Sequence, residues 1–237
     1  MDARRRALYL EALRIDAWRA RRTPGDAGAP AQSDSRAAAG GADGESRQRA
    51  WEDLRAEVAV CTKCALHLSR TQAVFGTGDL QAQWLVVGEA PGAEEDRQGE
   101  PFVGRAGQLL DAMLRAIGLE RGRNVYVANI LKSRPPRNRD PLPQEAAACL
   151  PYLLRQIALI RPVLILGVGR IAAQHLLGAT TSLASLRGRV HRFGELNTPV
   201  VVTYHPAYLL RTPGEKRKAW EDLKFARSVF RELTLGP

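Results

Sequence analysis

The 237-residue chain is 45% hydrophobic and 25% charged, which excludes disorder as the state of the whole chain and suits one α/β domain with a substantial core. Its 35 Lys and Arg against 25 Asp and Glu leave a formal charge of +10 and a pI near 10.1, which disfavours cationic partners and favours a polyanion, whether nucleic acid or an anionic membrane surface. The sequence has no apolar run of about 18 residues and no apolar stretch ahead of a small-residue cleavage site, so a soluble, cytoplasmic protein with no membrane partner is expected.

Residues 4–22 set Leu8, Leu10, Leu13, Ile15 and Trp18 among arginines, a pattern that predicts a short amphipathic helix. Residues 23–46 are mostly Ala, Gly, Ser, Asp and Pro, too poor in apolar side chains to pack, and read as a flexible linker. The expected division is therefore an N-terminal extension over 1–50 and a folded domain over 51–237. That domain opens with Cys61-Thr62-Lys63-Cys64, and Cys149 is the third and last cysteine. An odd count argues against a disulfide framework and leaves metal or cluster ligation, reactivity or burial.

Four apolar, β-rich runs follow, at Trp84–Gly88, Val125–Asn129, 163–167 and 200–204. Helical patterns cover 106–118, 143–159, 169–178 and 215–232. The runs end at intervals of about 40 residues, room for one strand, one helix and two loops, which predicts right-handed βαβ units. The expected fold is a three-layer α/β/α domain around a central four-stranded parallel sheet. In such sheets ligands bind beyond the carboxyl ends of the strands, so those ends are where chemistry should gather.

The first end carries Gly88-Glu89-Ala90-Pro91-Gly92, then Glu94-Glu95-Asp96, then Pro101-Phe102-Val103-Gly104-Arg105. Carboxylates crowded in a basic protein can position water or stabilise a cation, or they can form a solvated loop that caps the next helix. Asn129 ends the second run; its amide can read a base edge or serve as a turn residue. The string 132–139 places Lys132, Arg134, Arg137 and Arg139 around two prolines, a candidate phosphate-contacting surface. After the third run, Gly167-Val168-Gly169 fits the weak dinucleotide fingerprint, although a tight strand-to-helix turn explains it more simply. The fourth run leads into His205-Pro206-Ala207-Tyr208-Leu209-Leu210-Arg211. Its histidine is either structural or an acid–base group, and its leucines either wedge into a base stack or pack under the last helix.

Taken in order, these strings resemble the uracil-DNA glycosylase superfamily, and within it family 4, the iron–sulfur-containing bacterial and archaeal type; the resemblance covers about residues 57–232. It implies a uracil-DNA glycosylase fold and a monofunctional hydrolase of base excision repair that flips uracil from DNA and cleaves its N-glycosidic bond. A protein of the same fold that binds uracil-DNA without turnover is the alternative. Phe102 would stack on the base, Asn129 would read its edge and refuse cytosine, Ala90 and Gly92 would line the site, and Leu209 would fill the vacated stack. His205 would stabilise charge on the departing base, while Glu89 or Glu95 would stabilise the sugar cation or orient water. A related branch that captures uracil-DNA covalently uses a histidine in the loop after the second strand; residues 132–140 contain none.

The same resemblance implies a [4Fe–4S] cluster on four cysteines. Cys61, Cys64 and Cys149 stand at three of those positions, and Ser133 stands at the fourth, the one in the Lys132-Ser133-Arg134-Pro135-Pro136 string. A serine oxygen is a harder, poorer ligand than thiolate. Three outcomes follow: a labile [4Fe–4S] cluster completed by serine or another group, a three-iron cluster, or no cluster. Zinc on the three cysteines with a histidine such as His67 is a further alternative. The expected partner is uracil-containing DNA, and the expected state is a monomer.

Overall fold

The apolar runs lie side by side in the middle of a sheet, and helices cover both of its faces. The computed structural model describes residues 35–194 and 196–235, with side chains from Gly44 onward. The amphipathic helix expected over 4–22 and the first part, 23–34, of the linker expected over 23–46 lie outside these residues. From Ser35 the expected linker is replaced by a helix, α1, Ser35–Ala59; the alanines of 37–39 and the absence of proline between Pro30 and Ala59 permit it although residues 35–46 offer few large apolar side chains. The chain divides into compact units at Met1–Asp43 and Gly44–Pro237, and the second holds every strand described.

After α1 come β1 (Thr77–Gly78), β2 (Trp84–Gly88), α2 (Ala93–Gln98), α3 (Arg105–Ala116), β3 (Val125–Asn129), α4 (Pro143–Ile160), β4 (Leu164–Val168), α5 (Arg170–Leu177), α6 (Leu183–Leu186), β5 (His191–Phe193), β6 (Thr198–Thr203), α7 (Pro206–Arg211) and α8 (Lys216–Leu235). The sheet order is β1-β3-β2-β4-β6-β5. Strands β3, β2, β4 and β6 are parallel, while β1 and β5 run antiparallel at the two edges. The expected four-stranded parallel sheet is thus the centre of a six-stranded mixed one. The edge strands, two and three residues long, are too short to show a period of two.

Every residue of the four central strands is buried, which is why they read as unbroken apolar runs. Alternate side chains go to opposite faces. Leu85, Val87, Tyr126, Ala128 and Val202 pack with Trp51, Leu54 and Val58 of α1 and Leu153 and Ile157 of α4. Trp84, Val86, Val127, Leu166 and Val201 pack with Leu110 and Leu114 of α3 and Leu223 and Ala226 of α8. Each buried aliphatic side chain contributes about 1.5–3 kcal/mol, and the two layers hold the sheet rigid between them. Register then levels the strand ends: Gly88 pairs with Asn129, Val87 with Gly167, and Val168 with Thr203.

Candidate active site

The loops that leave these level ends enclose one cavity of about 370 Å³, lined by Glu89, Ala90, Gly92, Glu95, Phe102, Asn129 and His205 among others. Glu95, Asn129 and His205, drawn from three separate stretches of chain, therefore open onto the same space. Gly88 makes that convergence possible, since a side chain there would collide with Asn129 Oδ1 and the Phe102 ring. Gly169 does the same for the imidazole: it sits at φ 97°, and an added Cβ would lie 2.9 Å from His205 Cβ. Its backbone N–H donates to the Thr203 carbonyl at 2.8 Å. Gly167 is thus part of β4 and Gly169 the tight turn into α5, and the dinucleotide reading falls away.

Asn129 is 2% exposed, and its Oδ1 is buried without a hydrogen-bond partner. Buried amides are normally satisfied, so this one is held ready for a ligand. His205 caps α7 by accepting the Ala207 N–H on Nδ1 at 3.1 Å. Burial, reinforced by the Arg211 cation and opposed by Glu95, lowers its pKa to about 4. The ring is neutral at pH 7, and because Nδ1 accepts, Nε2 carries the proton and is the donor left for a ligand.

The two candidate carboxylates separate in kind. Among the described residues nothing hydrogen-bonds the Glu89 carboxylate; burial first, then the nearby Asp140 charge, raises its pKa to about 7 against the opposing pull of Arg170. Glu95 instead accepts the backbone N–H groups of Gly92 at 3.1 Å, Val103 at 3.0 Å and Gly104 at 3.1 Å. It fastens the loop that carries Phe102, and its oxygens are committed to that work. Phe102 itself adopts φ 57°, an uncommon conformation for an aromatic residue. Arg121 secures it from the other side, donating to Pro101 O at 2.7 Å and Phe102 O at 3.0 Å while pairing with Asp111 at 2.9 Å. The Phe102 ring lies 5.5 Å from that of His205, tilted by 30°, so the two planes form one wall.

Two expectations are corrected. Leu209 is 1% exposed and belongs to the core between the sheet, α3 and α8, so it cannot enter a base stack; Tyr208 and Arg211 reach the cavity instead. Lys132 is 1% exposed and so is no part of a phosphate-contacting surface, while Arg139 pairs with Glu145 at 2.6 Å at the edge of the cavity. Of the basic string, Arg137 remains exposed. Sequence reasoning also missed Asn138 and Asp140 as lining residues, and Arg121. Arg121 lies outside every quoted string and gave no signal.

Cys61, Cys64, Cys149 and Ser133 line a second, smaller cavity together with Arg70, Lys132 and Tyr152. Cys149 Sγ accepts the Lys132 backbone N–H at 3.1 Å, and Ser133 Oγ accepts from Arg70 Nη1 at 2.9 Å. His67 is turned to the Cys64 carbonyl at 2.7 Å and is not among the lining residues. Among the described residues no three His, Cys, Asp or Glu side chains are spaced to hold a single metal ion. Three thiols and one hydroxyl line that one space, and the thiols are the donor type that an iron–sulfur cluster takes.

Residues 75–224 match the family model described as the uracil DNA glycosylase superfamily. A type-4 uracil-DNA glycosylase of Archaeoglobus fulgidus is 43% identical over 73% of this chain and 89% of its own. One of Thermotoga maritima is 41% identical over 79% and 98%, and one of Pyrobaculum aerophilum is 41% identical over 69% and 86%. The chain belongs to the uracil-DNA glycosylase superfamily, in its type-4 branch. The strings that carry the resemblance to these glycosylases converge on the two cavities: the cysteines and Ser133 on the smaller, the strand-end residues on the larger. No helix among the described residues is long and apolar enough to cross a membrane.

Proposed function

We propose that this chain excises uracil from DNA by hydrolysis, leaving an abasic site for base excision repair. One observation carries the reading: an unsatisfied Asn129 amide, a neutral His205 and a proton-accepting Glu89 face a single cavity. An extrahelical uracil stacks on Phe102, and an aromatic platform of this kind contributes about 1–3 kcal/mol per base. Flipping itself costs a few kcal/mol, which the pocket contacts offset. The Asn129 amide pairs with the uracil edge, and cytosine presents a donor where uracil presents an acceptor, so the wrong base meets a donor clash.

As the N-glycosidic bond breaks, its electron pair passes to the base, which leaves as the uracil anion. The His205 Nε2–H donates to the carbonyl oxygen where that charge gathers. A neutral donor suits this role, because an imidazolium would surrender its proton rather than share it. Glu89, ionised, accepts a proton from the water whose oxygen bonds to the sugar carbon, and solvent protonates the released base. Glu95 acts one step away, by holding the Phe102 loop. Arg137, Arg211 and the overall positive charge favour the DNA backbone.

Cys61, Cys64 and Cys149 would hold an iron–sulfur cluster, with Ser133 and its Arg70 partner at the remaining corner. When bound, such a cluster supplies a cross-link among the segment before β1, the loop after β3 and α4. The cavity that would hold it shares no lining residue with the one assigned to bond cleavage.

The test is a labelled uracil-containing oligonucleotide incubated with the protein and then treated with alkali. Strand cleavage at uracil is expected. His205→Ala and Asn129→Ala should slow excision by orders of magnitude while DNA binding largely survives. An intact strand, or a denaturant-stable shifted band from covalent capture, would overturn the assignment.

A further inference from the structure

Lys132 is a charged side chain in the hydrophobic interior. Its Nζ donates to the backbone carbonyl of Asn129 at 2.8 Å and to Gln156 Oε1 at 2.6 Å. Gln156, 0% exposed, is in turn fixed through its Nε2, which donates to Phe75 O at 3.0 Å. The Lys132 backbone is anchored as well: its carbonyl accepts the Val74 N–H at 2.8 Å, and its N–H donates to Cys149 Sγ at 3.1 Å. Burying an ammonium this way is expensive, and a methionine would fill the same volume without that expense. The ammonium hydrogen-bonds the backbone of Asn129, the residue whose free amide faces the pocket, while Lys132 also lines the cysteine cavity beside Cys149.

We infer that Lys132, braced by Gln156, is the positioning residue that sets the backbone of Asn129 and so aims its base-reading amide. The contact is needed at this point in the chain. Strand β3 ends at Asn129, and the next two residues, Ile130 and Leu131, bond back to Gly88 O and Glu89 O. The Lys132 ammonium takes up the Asn129 carbonyl at the place where the ladder gives way to loop. Because the same residue bonds Cys149 through its backbone, it also joins the cysteine cavity to the base-reading residue by two hydrogen bonds and its own side chain.

This inference rests on the reading of Asn129 as the amide that recognises uracil, and the experiment separates the two. Full-length Lys132→Met, Gln156→Leu, Gln156→Glu and Asn129→Ala are compared in single-turnover excision, in inhibition by free uracil and in binding to abasic-site DNA. Loss of a charge-assisted hydrogen bond predicts that Lys132→Met and Gln156→Leu slow excision and weaken uracil inhibition by about 10- to 100-fold each. Binding to abasic-site DNA, which presents no base to Asn129, should stay within about twofold of wild type, the ordinary tolerance for a site not involved. Gln156→Glu, which keeps an acceptor for the ammonium but gives up the bond to Phe75 O, should recover part of the loss. If Asn129→Ala is impaired while Lys132→Met matches wild type in rate and uracil inhibition, the role of Lys132 is refuted and that of Asn129 stands. If Asn129→Ala excises normally, the reading of Asn129 fails and the inference with it. Parallel loss of abasic-DNA binding would mark Lys132 as a general structural residue. Should Lys132→Met not fold, the Gln156 pair decides, and equal behaviour of Leu and Glu there would overturn the proposal.

Discussion

At the scale of single residues, the two glutamates that looked interchangeable in sequence make opposite predictions. Glu89 is held near a pKa of about 7 by burial and the Asp140 charge. Excision that needs its carboxylate should therefore rise with pH along a limb near 7, with no falling limb from His205, which stays neutral above about 4. The stability consequence has a definite sign. A folded-state pKa raised above the ordinary carboxylate value means stability that is present at low pH and lost as pH climbs through about 7. Glu89→Gln should abolish the rising limb and melt at or above the wild-type temperature at pH 8. Glu95→Gln, which weakens the hold on Gly92, Val103 and Gly104, should lower the melting temperature. Thermal melts and a pH–rate profile of both variants check this, and indistinguishable behaviour would return Glu95 to the chemistry.

At the scale of elements, the Phe102 loop is a strained segment fastened at both ends. A positive φ on a non-glycine residue costs about 1–3 kcal/mol, and it persists here because Glu95 and Arg121 over-determine the turn. Arg121→Ala removes bonds to two carbonyls and to Asp111, and should cost about 1–3 kcal/mol of stability. It should also slow excision more than it raises KM, as Phe102 relaxes away from His205. A variant with unchanged kcat would show that the turn holds itself. This element marks the limit of what the primary structure disclosed. The central strands were legible because burial on both faces writes an apolar run, and Glu89, Asn129 and His205 were legible because they follow such runs. Arg121 acts on a loop that precedes it by most of a helix and a turn, and nothing in its neighbourhood announces that. Lys132 misled for a related reason: a lysine among arginines reads as surface until the Asn129 carbonyl and Gln156 are seen around it. Leu209 misled because a six-residue helix, α7, turns it inward, while the string alone left both directions open.

At the scale of the whole molecule, Cys61, Cys64, Ser133 and Cys149 bring three distant stretches of chain to one cavity. With iron bound there, Ser133→Cys should raise the iron and sulfide content of anaerobically purified protein and slow the fading of its visible absorption in air, because thiolate is the better ligand. Equal decay in both proteins would show that residue 133 is not a ligand. The charge of +10 carries a second expectation at this scale: affinity for DNA should fall steeply and log-linearly with salt, while the single-turnover rate at saturating enzyme stays level.

The pairing of Gly88 with Asn129 has a consequence for how such a molecule changes over time. The discriminating amide takes its height from a hydrogen-bonded ladder at the heart of the sheet, whereas the rim from 135 to 140 hangs outside it. The base-reading amide is thus set by the sheet, whereas the rim supplies the outer wall of the same cavity and, through Asp140, the charge beside Glu89. Drift in the rim would therefore reshape the mouth of the cavity and the charge around Glu89 while leaving the height of the discriminating amide unchanged.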